Sequence, residues 1–414
     1  MKLLVICPHF KPDIAPTGEV MTRIVTELTE RQHQVHVVTA LPWYRNHRVE
    51  NEWRGRLVRH EATDWGRITR VHPFPTDKRD IPARAAAFGA FTALSATIAT
   101  LTRDRPDAVL ALSPPLTLGL AGWEVARVRR APFVFNVQDI FPDVAIELGV
   151  ITNPTLIRLA SWLERSIYGF ADAVTVLSED LRDNVASKLR ERDGKKVHVI
   201  PNFVDTDQIR PAPRDNGYRA EFGLSNKTVV MYAGNVGLSQ SLDLVLHAAE
   251  MLAEQRDVVF VINGGGSART DLERRAAGRH NLRFVDVQPK RRLPEVLAAA
   301  DIHVVPLRRG LARASVPSKT YSILAAGRPI VASVDPGTEV ANLVERARAG
   351  VAVPPDDPEA FTRAITRLVK APDEAARMGL AGRAYVERWA SPAAVAAQYE
   401  ALFAELSPRA RSGT

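Results

Sequence analysis

Val230–Met231–Tyr232–Ala233–Gly234–Asn235–Val236–Gly237 is an apolar run that stops on glycines. Its upstream part, Thr228–Ala233, has the β-branched and aromatic content of a buried strand. The amphipathic stretch Ser239–Glu254 follows and predicts a helix. A buried strand that breaks on glycines into a helix start presents backbone N–H groups to a phosphate. Glycine lets the anion approach closely, and the helix dipole is positive there. A similar strand–loop–helix opens the chain at Leu3–Pro8, roughly 225 residues earlier. Two such units predict two sheets facing one crevice.

Outward from that stretch, strand-like runs recur upstream at Leu3–Cys7, Val35–Thr39, Ala108–Leu112, Phe133–Val137, Ala173–Leu177 and Val197–Ile200. Helical patterns lie between most of them. Glu19–Arg31 places Val20, Ile24 and Leu28 on one face, with Thr17–Gly18 ahead of it as a loop and cap signal. Residues 201–217, with Pro201, Pro211, Pro213 and Gly217, break the pattern and read as a linker. Strands then resume at Thr228–Ala233, Val258–Asn263, Leu282–Val285, Ile302–Pro306, Ile330–Ser333 and Gly350–Val353, and the tail from Pro358 reads as helices only. This alternation predicts an α/β chain of two doubly wound, Rossmann-like domains. Their expected extents are 1–205 and 206–385, with a helix over 386–408 packing back toward the first domain.

The 414 residues fit two or three domains, and 46% hydrophobic with 25% charged residues is an ordinary globular balance. A net charge of +8 suits anionic partners, although arginine-rich composition explains it equally well. The single cysteine, Cys7, excludes an internal disulfide and reads as core filler in a reducing cytosol. Met1–Lys2 leads straight into a strand, so a cytoplasmic location is expected. Peripheral contact with the inner membrane face is expected from Trp43–Tyr44–Arg45 to Arg48 and from the uncharged stretch Ala85–Thr102, whose Ala, Thr, Ser and Gly make a poor membrane span.

Ligands of open α/β sheets bind at the carboxyl ends of strands. In the second half this selects Gly234, Asn235, Gly237 and Gln240 as a phosphate loop, and the strand-ending cluster Asn263–Gly264–Gly265–Gly266, either a ligand-side turn or a plain tight turn. It also selects Val316–Pro317–Ser318–Lys319. Ser318 reads as an N-cap, and Lys319 stands in the positive first turn, where a cation is unfavourable unless an anion joins it. Arg308, Arg309 and Arg313 could add charge nearby. In the first half, Asp139 can orient an acceptor hydroxyl or take its proton, whereas Asp143 can equally cap a helix. The histidines show no metal-ligand spacing with cysteine. No G-x-x-x-x-G-K-S/T loop and no G-x-S-x-G elbow occur, which argues against P-loop ATPases and serine hydrolases.

Taken together, Pro8-x-Phe10-x-Pro12 with Gly18, Pro201–Asn202-x-Val204–Asp205, Tyr232–Ala233–Gly234–Asn235-x-Gly237, Ala300–Asp301-x-x-x-x-Pro306, and Pro317–Ser318–Lys319 with Ala325–Ala326–Gly327-x-Pro329 resemble family-4 retaining glycosyltransferases of the GT-B fold. The likeness spans residues 1 to about 390. It is greatest to the branch that makes bacterial surface polysaccharides, including L-fucosamine and colanic-acid sugar transferases. The resemblance implies a nucleotide-sugar, expected to be a UDP-sugar, held by the C-terminal domain, and a lipid-linked or glycan acceptor held mostly by the N-terminal one. It implies neither metal nor cofactor, and no nucleic-acid partner. It puts Gly18 in the loop near the donor phosphates, Gly234–Gly237 and Ser318–Lys319 along the diphosphate, and Val285–Gln288, including Val287, beside the base. Lys319, Asp139 and Gly18 become the expected catalytic set. Departures stand beside the matches. Gln138 occupies a place where relatives often carry histidine. Ser322 stands where a ribose-binding glutamate is usual, so Ser322 or Glu339 would have to serve instead. A non-catalytic nucleotide-sugar-binding partner of another transferase and a UDP-sugar epimerase remain open as alternatives.

Overall fold

The computed structural model describes all residues except 46, 77–80, 103–104, 148–150, 238, 311–317 and 408–414, and omits the side chains of 81, 82, 147 and 318. The chain divides into two units, Met1–Asn202 with Pro392–Thr414, and Phe203–Ser391.

The first unit holds strands β1 (Lys2–Ile6), β2 (Gln34–Ala40), β3 (Val58–Thr63), β4 (Gly66–Val71), β5 (Ala108–Ser113), β6 (Phe133–Val137), β7 (Ala173–Val176) and β8 (Val197–Val199). Their order is β3-β4-β2-β1-β5-β6-β7-β8, parallel throughout except for the antiparallel pair β3–β4. Helices α1 (Pro16–Glu30), α2 (Ile81–Leu101), α3 (Leu118–Arg129), α4 (Asp143–Glu147), α5 (Pro154–Phe170) and α6 (Glu179–Ser187) make the connections. The hairpin β3–β4 was not expected. Its strands carry Arg59, His60, Glu61 and Arg70, so they lack the apolar run that marks a buried strand. Arg70 is nonetheless buried, donating to Glu61 Oε1 at 2.8 Å and to the carbonyl of Lys11 at 2.6 Å. An antiparallel edge can be polar because only one of its faces meets the core.

A second correction concerns α1. It begins at Pro16, whose ring presets the helical φ in the first turn, rather than at Glu19. Thr17 and Gly18 are therefore helical and not part of a loop. Gly18 is required by packing, since a Cβ there would lie 2.9 Å from His9 Cβ.

In the second unit β9 (Thr228–Ala233), β10 (Val258–Asn263), β11 (Leu282–Val285), β12 (Ile302–Pro306), β13 (Ile330–Ser333) and β14 (Gly350–Val353) coincide with the runs read from sequence. All neighbours are parallel, in the order β11-β10-β9-β12-β13-β14. The sheet grows from β9 in one direction, then restarts at β12 on its other side, so the switch point lies between β9 and β12. The helices are α7 (Gly217–Glu221), α8 (Asp243–Met251), α9 (Arg269–Ala276), α10 (Leu293–Ala298), α11 (Ser318–Ala325), α12 (Glu339–Arg346), α13 (Pro358–Lys370) and α14 (Pro372–Trp389).

Two expectations fail here. The helix after the glycine loop starts at Asp243, not Ser239, because residues 239–241 pair instead with the segment leaving β12. Arg308 N donates to Ser239 O at 3.1 Å, and Ser241 N donates to Pro306 O at 3.2 Å. The stretch read as a linker is built into this unit from Phe203 onward. Val204 and Ile209 are buried, and Arg383 on α14 donates to the carbonyls of Thr206, Ile209 and Ala325 at 3.0, 2.6 and 2.7 Å.

The last helix, α15 (Pro392–Leu406), belongs to the first unit and packs on α1. Glu400 takes an ion pair from Arg31 at 3.0 Å and contacts His33 Nε2 at 3.0 Å. Tyr399 is fully buried, and its hydroxyl accepts from Asn136 Nδ2 at 2.7 Å.

Candidate functional site

Two loops meet at the carboxyl edge of the second sheet, because β9 and β10 are neighbours. Gly234 N donates to Asn263 O at 3.0 Å, and Val236 N donates to Gly265 O at 2.8 Å. A Cβ at Gly264 would sit 1.8 Å from Gly234 O, and one at Gly266 would sit 2.3 Å from Val236 O. The Asn263–Gly266 cluster is thus a packing requirement of the β9 loop. Gly234 is different. Its φ of +150° calls for glycine, yet a Cβ there would meet only Tyr232 Oη and the end of Lys319, at 3.5–3.7 Å.

Lys319, in the first turn of α11, reaches across the switch point to this loop. Its ammonium donates to Gln240 Oε1 at 2.9 Å and to Tyr232 Oη at 3.1 Å, and lies 4.3 Å from the centre of the Tyr232 ring. All these partners are neutral. Burial pushes the Lys319 pKa down to about 7. A desolvated cation with only dipoles and a π face around it is short of negative charge, so an arriving anion would stabilise it strongly. Tyr232, whose hydroxyl also donates to Asn235 O at 2.5 Å, links the glycine loop to the lysine. Its own pKa is raised by burial.

The remaining expected residues of this unit divide. Gly237 packs on the Asn235 amide, where a Cβ would lie 2.7 Å from Nδ2. Gly265 faces Val287, which is 70% exposed beyond β11. Ser322 lies partly buried on α11, one turn on from Lys319. The Ser318 side chain, like Pro317 and Arg313, lies outside the described residues, although its backbone opens α11. Glu339 opens α12 and is almost fully buried, with both carboxylate oxygens taken by Arg346 Nη2 at 2.9 and 3.0 Å. Arg309 Nη2 is tied to Pro355 O at 3.2 Å, while Arg308 is a half-exposed side chain 4.0 Å from Asp243. The structure therefore brings together Gly234, Asn235, Gln240 and Lys319, with Gly265 and Val287 along the same edge.

In the first unit, the carboxyl ends of β1 and β6 carry the expected residues. Asp139 follows β6 as an exposed residue, yet the protein packed around its carboxyl desolvates it and raises its pKa. Gln138 is spent on structure. Its Nε2 donates to Asn136 Oδ1 at 2.7 Å, and its Oε1 accepts from Asn202 Nδ2 at 3.0 Å. Asn136 in turn reaches Thr175 and Tyr399. Asp143 is the first residue of α4 rather than a cap before Val144, and its carboxylate accepts from Lys188 Nζ at 2.7 Å and Asn184 Nδ2 at 3.1 Å. Cys7 is buried beside Thr39 with its thiol pushed up to about 12 by burial, which suits core filler. Among the described residues no group of three or more His, Cys, Asp or Glu side chains is placed to hold a metal ion.

One cluster was missed. His9 Nδ1 lies 2.7 Å from Asp13 Oδ2, its ring stacks on Trp43 at 5.6 Å, and Tyr44 meets it edge-on at 5.2 Å. Asp13 also accepts from Tyr44 N at 3.1 Å. The available signal was a histidine three residues past the end of β1, directly after Pro8, with an acid four residues on. Metal-ligand spacing among the histidines gives no sign of it.

Residues 17–202 match the family described as a glycosyl transferase 4-like domain, and residues 227–371 match glycosyl transferases group 1. A protein of Escherichia coli (strain K12), named provisionally as a colanic acid biosynthesis glycosyl transferase, is 29% identical over 94% of this chain and 96% of its own. Alpha-maltose-1-phosphate synthase of Mycolicibacterium smegmatis is 27% identical over 76% of this chain and 81% of its own. Among solved structures, Anabaena HepE in complex with UDP aligns over 98% of this chain and 100% of its own, with a TM-score of 0.67 at 16% identity. A sucrose-phosphate synthase from Thermosynechococcus elongatus aligns over 98% and 99%, with a TM-score of 0.66 at 18% identity. The chain belongs to the family-4 glycosyltransferases, built as a glycosyl transferase 4-like domain followed by a group 1 domain in the GT-B fold.

Proposed function

We propose that this glycosyltransferase moves a sugar, with retention at the anomeric carbon, from a UDP-sugar to a lipid-linked or glycan acceptor in cell-envelope polysaccharide or glycolipid synthesis. The observation that carries the donor half is Lys319, a part-buried ammonium with neutral partners at the switch point, beside the Gly234–Gly237 loop. The Anabaena HepE complexes with UDP and with UDP-glucose support the choice of base, and the name of the Escherichia coli relative supports the pathway class.

In this reading Lys319 meets the diphosphate together with glycine-loop amides other than those of Gly234 and Val236, which donate to Asn263 O and Gly265 O. As the bond from the anomeric carbon to the β-phosphate oxygen breaks, negative charge grows on that oxygen, and the ammonium is already in place. The acceptor hydroxyl attacks from the same face, and its proton passes to the departing phosphate oxygen. No protein nucleophile is needed. Asp139 orients the acceptor hydroxyl. Gly18, helical and packed on His9, acts through close packing of the β1–α1 connection. His9, held by Asp13 and stacked on Trp43, joins the acceptor side of the proposal. Val287 flanks the base, and Ser322 contributes a ribose hydrogen bond that Glu339, already occupied by Arg346, is poorly placed to supply. Cationic side chains and backbone amides take the role a metal would have.

The test is a thermal-shift screen over UDP-, GDP-, ADP- and TDP-sugars, followed by donor hydrolysis with the responding sugar. A UDP-specific rise in melting temperature with slow donor hydrolysis is expected. A rise with another base alone would move the donor assignment, and isomerisation of the sugar without transfer would replace the reading by an epimerase.

A further inference from the structure

We propose that the outward face of α5, extended by the end of α3, docks on a lipid bilayer with anionic headgroups. Its purpose rests on the lipid-linked acceptor proposed above; its geometry does not. On α5 the inner side is completed by Ile167, Tyr168 and Glu164, which are buried, with Glu164 accepting from Lys188 at 2.7 Å. The opposite side is also apolar. Leu156, Leu159 and Trp162 are each more than half exposed, and Phe170 is 43% exposed. At helical spacing these positions fall on one stripe, with Arg158 and Arg165 along its flank. Both arginines are exposed, and neither has an ion pair among the described residues. Phe170 stacks on Trp123 of α3 at 4.5 Å, and Arg127 lies 5.9 Å over the Trp123 ring. Val128 extends the apolar surface. Glu124, beside Trp123, is exposed and opposes these cations, which still outnumber it.

Aromatic and leucine side chains rimmed by unpaired arginines complement an anionic interface in both apolarity and charge. The surface differs from the one expected. The helix α2 is long and apolar enough over Ala83–Leu101 to span a membrane, but Phe91, Ala96 and Ala99 are buried and its exposed positions include Ala86, Gly89, Ala90 and Ala93. Small side chains have little apolar area to withdraw from water. α5 also leaves the end of the first sheet that carries Asp139, through α4, so Leu156 and Leu159 stand on the side where the acceptor is proposed to be held.

The full chain is tested by flotation with vesicles of phosphatidylglycerol and phosphatidylcholine, and with phosphatidylcholine alone. Binding to the anionic vesicles, weakening with salt, is expected. Leu159→Glu with Trp162→Glu should lower it at least ten-fold, Arg158→Glu with Arg165→Glu should remove its dependence on phosphatidylglycerol, and Ala93→Glu on α2 should leave it unchanged. A UDP-induced thermal shift in each variant reports folding and donor binding separately, so loss of docking and failure of the transferase reading are distinguished. Absence of wild-type flotation, or unchanged flotation in both double variants, overturns the proposal. So does self-association in sedimentation that the α5 variants abolish, which would assign the face to a second copy.

Discussion

The two ends of the second unit's sheet both hold a cation withdrawn from water, fully at one end and largely at the other, and they treat it oppositely. At the amino end Arg219 is 1% exposed and saturated. It donates to Asp301 Oδ2 at 2.6 Å, to Ala299 O at 2.8 Å and to Lys227 O at 2.9 Å. Asp301 also ties down Val229 N and Arg214 at 2.7 Å each. At the carboxyl end Lys319 has a tyrosine, a glutamine and an aromatic face, with no described carboxylate paired to it. A saturated buried ion pair holds a fold in register, whereas a buried cation left short of charge is a cost to the fold that a ligand can relieve. Charge content alone would not separate the two residues; the identity of their partners does.

The largest expected effect breaks the saturated end. Arg219→Met removes the buried partner of Asp301, leaving it Arg214 and Val229 N, and orphans the carbonyls of Ala299 and Lys227; it should cost about 3–5 kcal/mol of stability, read by denaturant unfolding. Lys319→Met should do the reverse. Turnover should fall tens-fold or more, while the melting temperature of the ligand-free protein holds or rises. If Lys319→Met melts well below wild type, the lysine is structural and the contrast fails.

A glycine pair sharpens the same edge. Gly264→Ala drives a Cβ into Gly234 O and should lose on the order of 3 kcal/mol of stability. Gly234→Ala meets no such clash but strains φ, so roughly 1 kcal/mol is expected, with UDP affinity falling more than stability does. Equal loss at both positions in unfolding experiments would show that Gly234 serves only the fold.

Protonation gives a subtler contrast. The folded pKa of Lys319, about 7, lies below its unfolded value of 10.5, so between those values the unfolded chain binds more protons. The penalty of burying this group is fully present below pH 7 and is relieved as pH rises toward 10.5, so its contribution to ligand-free stability improves with pH. UDP affinity should move the other way, declining above pH 7 toward a limit of about tenfold per pH unit, as titration calorimetry would record. Smallest of all, Gln240→Ala removes one neutral acceptor from Lys319 and should weaken UDP by only a few-fold.

What the sequence revealed follows the same physics. The six strands of the second unit were legible to the residue: the central four, β9, β10, β12 and β13, are covered on both faces and read as near-continuous apolar runs, and the partly exposed edges β11 and β14 as short runs between turn signals. The hairpin β3–β4 was not, because Arg70 is buried through Glu61 and Lys11 and a charged residue gives no sign of that in a linear pattern. Lys319 was legible as a cation misplaced against a helix dipole. The early start of α1 escaped because Pro16 and the tight contact of Gly18 on His9 replace a side-chain cap. The late start of α8 escaped because residues 239–241 pair across the switch point, a non-local choice. The His9–Asp13–Trp43 cluster joins residues from two separate connections, after β1 and after β2, and only folding makes it a cluster.

The central claim is that an anion completes Lys319. Titration calorimetry of UDP at pH 8, in buffers of different ionisation enthalpy, measures it as protons taken up on binding. The account predicts uptake approaching about one proton in wild type and none in Lys319→Met, because the largely neutral amine must become an ammonium when the diphosphate arrives. Tight UDP binding with no proton uptake in wild type would contradict it.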